Sequence, residues 1–137
     1  MGTVKLTKET EYALQALAYL AAQPPQTIVE AGALGEAIDV PRAFMSKIMQ
    51  RLAKGAIVRG HRGNPRGYSL AVGPSRLTVR RILEVMEGDD IFQRCIFWSE
   101  QCSDVNPCPL HDTWKSVRPK VRKMMNELTV ADLAARK

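Results

Sequence analysis

The sequence predicts a mainly α-helical chain with a small β-hairpin wing: a winged helix-turn-helix, then a linker helix, a cysteine-rich loop and a long dimerisation helix. Three observations predict it. Apolar residues recur at helical spacing in several separate segments. A glycine-rich, basic hairpin signal follows the third segment. All three cysteines crowd into one stretch near residue 100.

The first helix is expected to start at a cap from Thr7 or Thr10 and to run to about Ala22. Ala13, Ala16, Leu17 and Leu20 fall on one face, and Gln23-Pro24-Pro25 ends the run. A second helix is expected over Val29 to Ile38, with Ala33, Leu34, Ala37 and Ile38 inward. Asp39-Val40-Pro41 is a short turn, and Pro41 suits a helix start. The third helix, about Arg42 to Lys54, has the clearest pattern. Met45, Ile48, Met49 and Leu52 share one face; Ala43, Lys47, Gln50, Arg51 and Lys54 share the other. Two helices across a tight turn, the second basic outside, read as helix-turn-helix.

Gly55 is placed to close that helix. Strands are expected around Ala56–Arg59 and Tyr68–Val72, joined by Gly60-His61-Arg62-Gly63-Asn64-Pro65-Arg66-Gly67. After a helix-turn-helix this hairpin is a wing. Arg62 and Arg66 would enter a minor groove or grip phosphate, and His61 reads as a polar wing residue rather than a ligand. Thr78 can cap a linker helix to about Glu87, striped by Val79, Ile82, Leu83 and Met86. Beyond the cysteines, Trp114, Val117, Val121, Met124 and Leu128 step by 3, 4, 3 and 4. That heptad-like stripe is expected to pair with its copy in a second subunit, with a kink or break at Pro119. Thr129 looks like the cap of one last short turn.

Length and composition bound the rest. At 137 residues and 45% apolar, the chain is one domain, or one small domain with an added arm. The division expected is 1–75 for the winged helix-turn-helix and 76–137 for linker helix, cysteine loop and dimerisation helix. No apolar run is long enough to span a bilayer, and MGTVKLTKETEY lacks the apolar core of a secretion signal, so a cytoplasmic, reducing location is expected. The net charge is +6. From Pro41 to Arg81 there are ten Lys and Arg and no Asp or Glu. A solvated helix face mixes signs, so this block points to a polyanion. Duplex DNA fits better than an anionic lipid surface, because the interleaved apolar residues fit a packed core. The residues expected on DNA are Arg42, Ala43, Lys47, Gln50, Arg51, Lys54, Arg59, His61, Arg62 and Arg66. Lys47 and Gln50 are the base readers, and Arg51, Lys54, Arg62 and Arg66 take phosphate or groove.

The stretch CIFWSEQCSDVNPCPLH, Cys95 to His111, is spaced Cys-x6-Cys-x5-Cys-x2-His. Three thiolates and an imidazole can hold an iron–sulfur cluster or a zinc ion. The plainer reading, buried cysteines packed as small hydrophobes, fits poorly with the polar company of Ser99, Glu100, Gln101, Ser103, Asp104 and Asn106. Without a Cys-x-x-Cys, thiol redox catalysis lacks its usual motif, and no nucleophile–base–acid set or phosphate loop supports an enzyme.

In order, these pieces resemble the Rrf2 family of bacterial winged-helix regulators, in particular its iron–sulfur regulators of the IscR and NsrR types. LTKETEYALQALAYLA resembles the family's opening helix, VPRAFMSKIMQRLAKGAIV its recognition helix, RGNPRGYSLA its wing and LTVADLA its C-terminal end. The resemblance implies a homodimer on a partly palindromic double-stranded operator, with a 2Fe–2S or 4Fe–4S cluster per subunit, 2Fe–2S being preferred. It implies Cys95, Cys102 and Cys108 as cluster ligands. The fourth would be His111, as in the IscR type, or Glu11 from the other subunit, as in the NsrR type; CPLHDTW favours His111. Two departures stand out. The first inter-cysteine gap is six residues where five is common, and Arg66 stands where a glycine is common. The alternative reading is a DNA-binding regulator with structural zinc or no metal, controlled by its thiols or by a partner protein.

Overall fold

The computed structural model describes residues 7–88, 91 and 111–135. Helix α1 (Lys8–Ala21) opens at Thr7, whose hydroxyl accepts from the Thr10 N–H at 3.3 Å. Its stripe of Ala13, Ala16, Leu17 and Leu20 is buried, as the spacing predicts, and Thr10 is buried with it.

Helix α2 (Ala31–Ile38) starts later than expected. Val29 is instead extended and exchanges two backbone hydrogen bonds with Tyr68, at 2.9 and 2.8 Å. A β-branched residue suits that role, and the contact adds a third stretch of backbone to the wing. Of the residues expected inward on α2, Leu34 is buried and Ile38 packs against the core, but Ala33 and Ala37 do not. Ala31, Leu34 and Gly35 are buried, while Ala33 and Ala37 are exposed. The reason is the turn that follows. Asp39 takes a left-handed conformation (φ 60°), and the Val40 N–H returns to the Gly35 carbonyl at 2.8 Å. A side chain on Gly35 would collide with the Val40 carbonyl. The turn therefore draws Gly35 inward beside Leu34 and leaves Ala33 and Ala37 on the outer face.

Helix α3 (Arg42–Lys54) has the expected bounds and the expected buried face, Met45, Ile48, Met49 and Leu52. Gly55 caps it, but the left-handed residue is the next one, Ala56 (φ 61°). Strands β1 (Val58–His61) and β2 (Gly67–Leu70) form an antiparallel hairpin pairing Val58 with Leu70 and His61 with Gly67. Helix α4 (Val79–Glu87) is capped by the Thr78 hydroxyl and buries Val79, Ile82, Leu83 and Met86, as predicted.

Helix α5 (His111–Glu127) runs through Pro119 without a break. Pro119 removes one backbone hydrogen bond, but it sits on the exposed side, where water can take its place. Thr129 and Asp132 form a reciprocal cap for α6 (Val130–Ala135): the Thr129 N–H donates to the Asp132 carboxylate at 2.9 Å, and the Asp132 N–H donates to the Thr129 hydroxyl at 3.3 Å.

One main core joins α1, α2, α3 and β1 to Leu77, Ile82, Met86 and Val130, so residues on both sides of position 75 share it. A smaller cluster of Val79, Leu83 and Ile91 is covered by Val121, Met125, Leu128 and Leu133. Helix α5 is thus packed on α4 of its own subunit. Among the described residues no helix is long and apolar enough to cross a membrane.

Candidate nucleic-acid interface

The outer face of α3 looks across an open cleft at the wing. Arg42, Ser46, Gln50, Ala53 and Lys54 line one side, and Gly60, His61, Arg62, Arg66 and Tyr68 the other, around ≈ 740 Å³. Ala43, Lys47, Gln50 and Lys54 are exposed, as are Arg59, Arg62 and Arg66. Lys47, Lys54, Arg62 and Arg66 have no ion-pair partner among the described residues. Arg42 lies 3.9 Å from Glu30, both side chains largely exposed, a loose pair that leaves the guanidinium available. His61 lies half-buried with Nε2 2.8 Å from the Ser69 hydroxyl, a wing-bracing contact.

The wing is held at a fixed place beside α3. Gly67 (φ 142°) lies against the backbone before α2, and a Cβ there would stand 2.5 Å from Val29 C and O. Only glycine fits this approach, which is what lets Tyr68 pair with Val29. Arg66, by contrast, is exposed at the tip and leaves that geometry intact.

Arg51 is the exception among the basic residues expected on DNA. Its guanidinium donates to the Glu9 carboxylate at 2.6 Å and to the Met86 carbonyl at 2.6 Å. It sits on the flank of α3 that faces α1 and α4, and its guanidinium is engaged in contacts within the subunit while the side chain remains partly exposed. Beside it, one Glu87 carboxylate oxygen accepts from the Thr10 hydroxyl (2.6 Å), the Thr7 hydroxyl (3.0 Å) and the Thr7 N–H (3.0 Å). These groups lock the start of α1 and the flank of α3 to the end of α4. The sequence reading missed Glu9 and Glu87. Thr10 carried the available signal: it lies at i−3 from Ala13 and i−7 from Leu17 on a core stripe, and a hydroxyl there demands an acceptor.

Of the expected metal ligands, Cys95, Cys102 and Cys108 lie outside the described residues, as does the side chain of His111, whose backbone opens α5. Glu11 is half-exposed on α1, 3.9 Å from Lys8, and is accessible from outside its own subunit. Among the described residues no three potential ligands gather.

The stripe expected to pair subunits divides in two. Val121 and Leu128 pack inward on the α4 cluster, while Val117 (38% exposed) and Met124 (53%) face outward. The Trp114 side chain is outside the described residues. The arc of apolar residues straddles the boundary between the subunit's own core and its surface.

Comparison with known proteins matches these features across the chain. The Rrf2 family model, described as an iron-dependent transcriptional regulator, matches residues 6–136. An HTH-type transcriptional regulator of Aquifex aeolicus is 31% identical over 124 residues, covering 89% of this chain and 85% of that one. The HTH-type transcriptional regulator IscR of Yersinia pseudotuberculosis is 24% identical over 130 residues, covering 95% and 79%. Among solved structures, CymR, the global cysteine regulator of B. subtilis, superposes with a TM-score of 0.79 at 22% identity, covering 98% of each chain.

Proposed function

Because the chain belongs to the Rrf2 family of transcriptional regulators, we propose that it binds a partly palindromic operator as a homodimer, under control of a cofactor held by its cysteine segment. It is a regulator and not an enzyme. The observation that carries the proposal is the order of parts around the α3–α4 lock. The recognition helix α3 is tied through Arg51 to the end of α4, the three cysteines follow, and α5 begins at His111.

The donor set fits an iron–sulfur cluster. Cys95, Cys102 and Cys108 supply three thiolates, and His111 or the Glu11 carboxylate of the other subunit supplies a fourth ligand. Bound there, such a group would supply redox and nitric-oxide reactivity, and 2Fe–2S is the preferred form. The chain's own residues do the rest. Arg62 and Arg66 on the wing and Lys54 on α3 neutralise phosphate, and Lys47 and Gln50 reach base edges. Arg51, Glu9 and Glu87 fix the angle between α3 and α4. Val117 and Met124 meet their copies across the dimer axis, setting two α3 helices about one DNA turn, roughly 34 Å, apart.

The test is anaerobic purification with iron, sulfide and zinc counted in one sample, followed by operator binding before and after the metal is stripped. Matched iron and sulfide, with affinity that changes on stripping, is the expected result. Colourless protein with stoichiometric zinc would establish the structural-zinc reading instead. Equal operator affinity with and without the cluster would refute control by it.

A further inference from the structure

The first turn of α3 projects from the body of the protein. Pro41, Arg42, Ala43 and Phe44 are four consecutive exposed residues, and the buried stripe begins only at Met45. Phe44 is 54% exposed, and with Val117 and Met124 it is one of three exposed large apolar side chains among the described residues. The other two lie on α5. A phenyl ring left in water forgoes the burial that stabilises a fold, and phenylalanine is a weaker helix former than alanine or leucine. Among the described residues, neither core cluster includes this ring.

Its surroundings indicate what it meets. Lys47 lies at i+3, exposed and without an ion-pair partner among the described residues, Arg42 lies two residues before Phe44, and no Asp or Glu occurs between residues 41 and 81. The core of a protein–protein interface is depleted of lysine, so a ring beside Lys47 is poorly placed for one. A duplex suits it. The major groove is bordered by phosphates and carries one apolar group, the C5-methyl of thymine, which phenylalanine can contact. The N-terminal residues of a recognition helix are those that reach base edges.

We propose that Phe44 packs on thymine methyl groups and so sets a thymine preference in each half of the operator, beside the polar contacts of Lys47 and Gln50. This rests on the DNA-binding reading above. It adds a specificity determinant that acts through apolar contact and carries no charge.

The experiment uses the full chain and a duplex selected by the wild-type protein from random-sequence DNA. Each thymine is replaced in turn by deoxyuridine, which lacks only the methyl. The wild type is expected to lose about fourfold in affinity per contacted methyl, the value of one buried methyl group. Phe44→Ala should bind the thymine duplex as weakly as the wild type binds the uracil one, and should not distinguish the two. Its melting temperature should match the wild type's, because the ring is exposed. Identical uracil profiles for wild type and Phe44→Ala, or a wild type indifferent to every methyl, would overturn the proposal while leaving DNA binding intact. Loss of the dimer in Phe44→Ala by sedimentation would reassign the ring to subunit contact and overturn it too. A wild type that selects no duplex would bring down the DNA-binding reading itself.

Discussion

Replacing Arg51 by alanine separates a brace from a phosphate contact, two roles that predict opposite pairs of results. The ion pair with Glu9 joins side chains 43% and 52% exposed, so solvent screens it to about 0.5 kcal/mol. The charge-assisted hydrogen bond to the partly buried Met86 carbonyl contributes about 1.5 kcal/mol. Together Arg51→Ala should cost about 2 kcal/mol, which for a chain of 137 residues lowers the melting temperature by about 7 °C. Lys54→Ala is the control. Lys54 is exposed and has no partner among the described residues, so its loss should change stability by less than about 0.5 kcal/mol. In operator binding the two should reverse. A dimer lacking Lys54 neutralises two fewer phosphates, so the slope of log affinity against log salt should become shallower by about 2. With Arg51→Ala the slope should stay where it was. Thermal melts and salt titrations on the same preparations check both. A melting temperature unchanged by Arg51→Ala, with a slope shallower by about 2, would refute the brace and return Arg51 to the phosphate contacts.

Four further outcomes are expected. Glu87→Ala removes the acceptor of three donors, one from the fully buried Thr10, and should cost about 2–4 kcal/mol in a urea melt; a double-mutant cycle with Thr10→Ala should show coupling above about 0.5 kcal/mol. Gly67→Ala forces a side chain at φ 142° against the Val29 backbone, so it should cost about 2 kcal/mol or more and lower operator affinity, whereas Gly63→Ala, with open space around it, should be close to neutral. Gln50→Ala should change which sequences are selected from random DNA, while Arg62→Ala weakens all sequences alike. Met124→Glu places a charge on the outward face of α5 and should shift sedimentation toward monomer with the melting curve little changed; a dimer that persists would move the subunit contact elsewhere.

Elements with a strong local signal were legible in the sequence. The bounds of α3, its four buried residues and the Thr78 cap of α4 follow from spacing and capping chemistry alone. The errors lie where a distant backbone decides. Nothing local to Val29 announces that it will pair with Tyr68 some forty residues on, and that pairing is what shortens α2. Ala33 and Ala37 are small enough to sit on either face, so the tight contact at Gly35 could turn them outward at little cost. Pro119 removes one hydrogen bond from α5, and because it is exposed, water can take that bond's place and the helix continues. In the candidate interface, charge singled out Lys47, Lys54, Arg62 and Arg66 for DNA, and these four have no ion-pair partner among the described residues. Arg51 carries the same charge on the same helix, and only tertiary structure reveals that Glu9 and Met86 hold it. Phe44 escaped notice because an aromatic residue in a helix is by default assigned to the core.

The backbone pairing of Val29 with Tyr68 sets a limit on how this protein can adjust to DNA. It fastens the hairpin to the very residues that lead into α2, and α2 turns directly into α3 through Val40 and Gly35. Wing and α3 therefore behave as one solid reading head, with the width of the gap between them written into covalent and hydrogen-bonded geometry. On DNA, as proposed above, such a head would accept one groove shape and reject others without moving. The start of α4 is likewise fastened to the end of α5 by paired backbone, Thr78 bridging Thr129 with the Val79 N–H donating to the Leu128 carbonyl at 2.8 Å and the Val130 N–H to the Leu77 carbonyl at 2.9 Å, so in the dimer proposed above any tolerance for operators of different length would come from the joint between the two subunits. Duplexes with one base pair added between half-sites should accordingly lose affinity in proportion to how stiff that joint is, while the footprint of each single head stays the same.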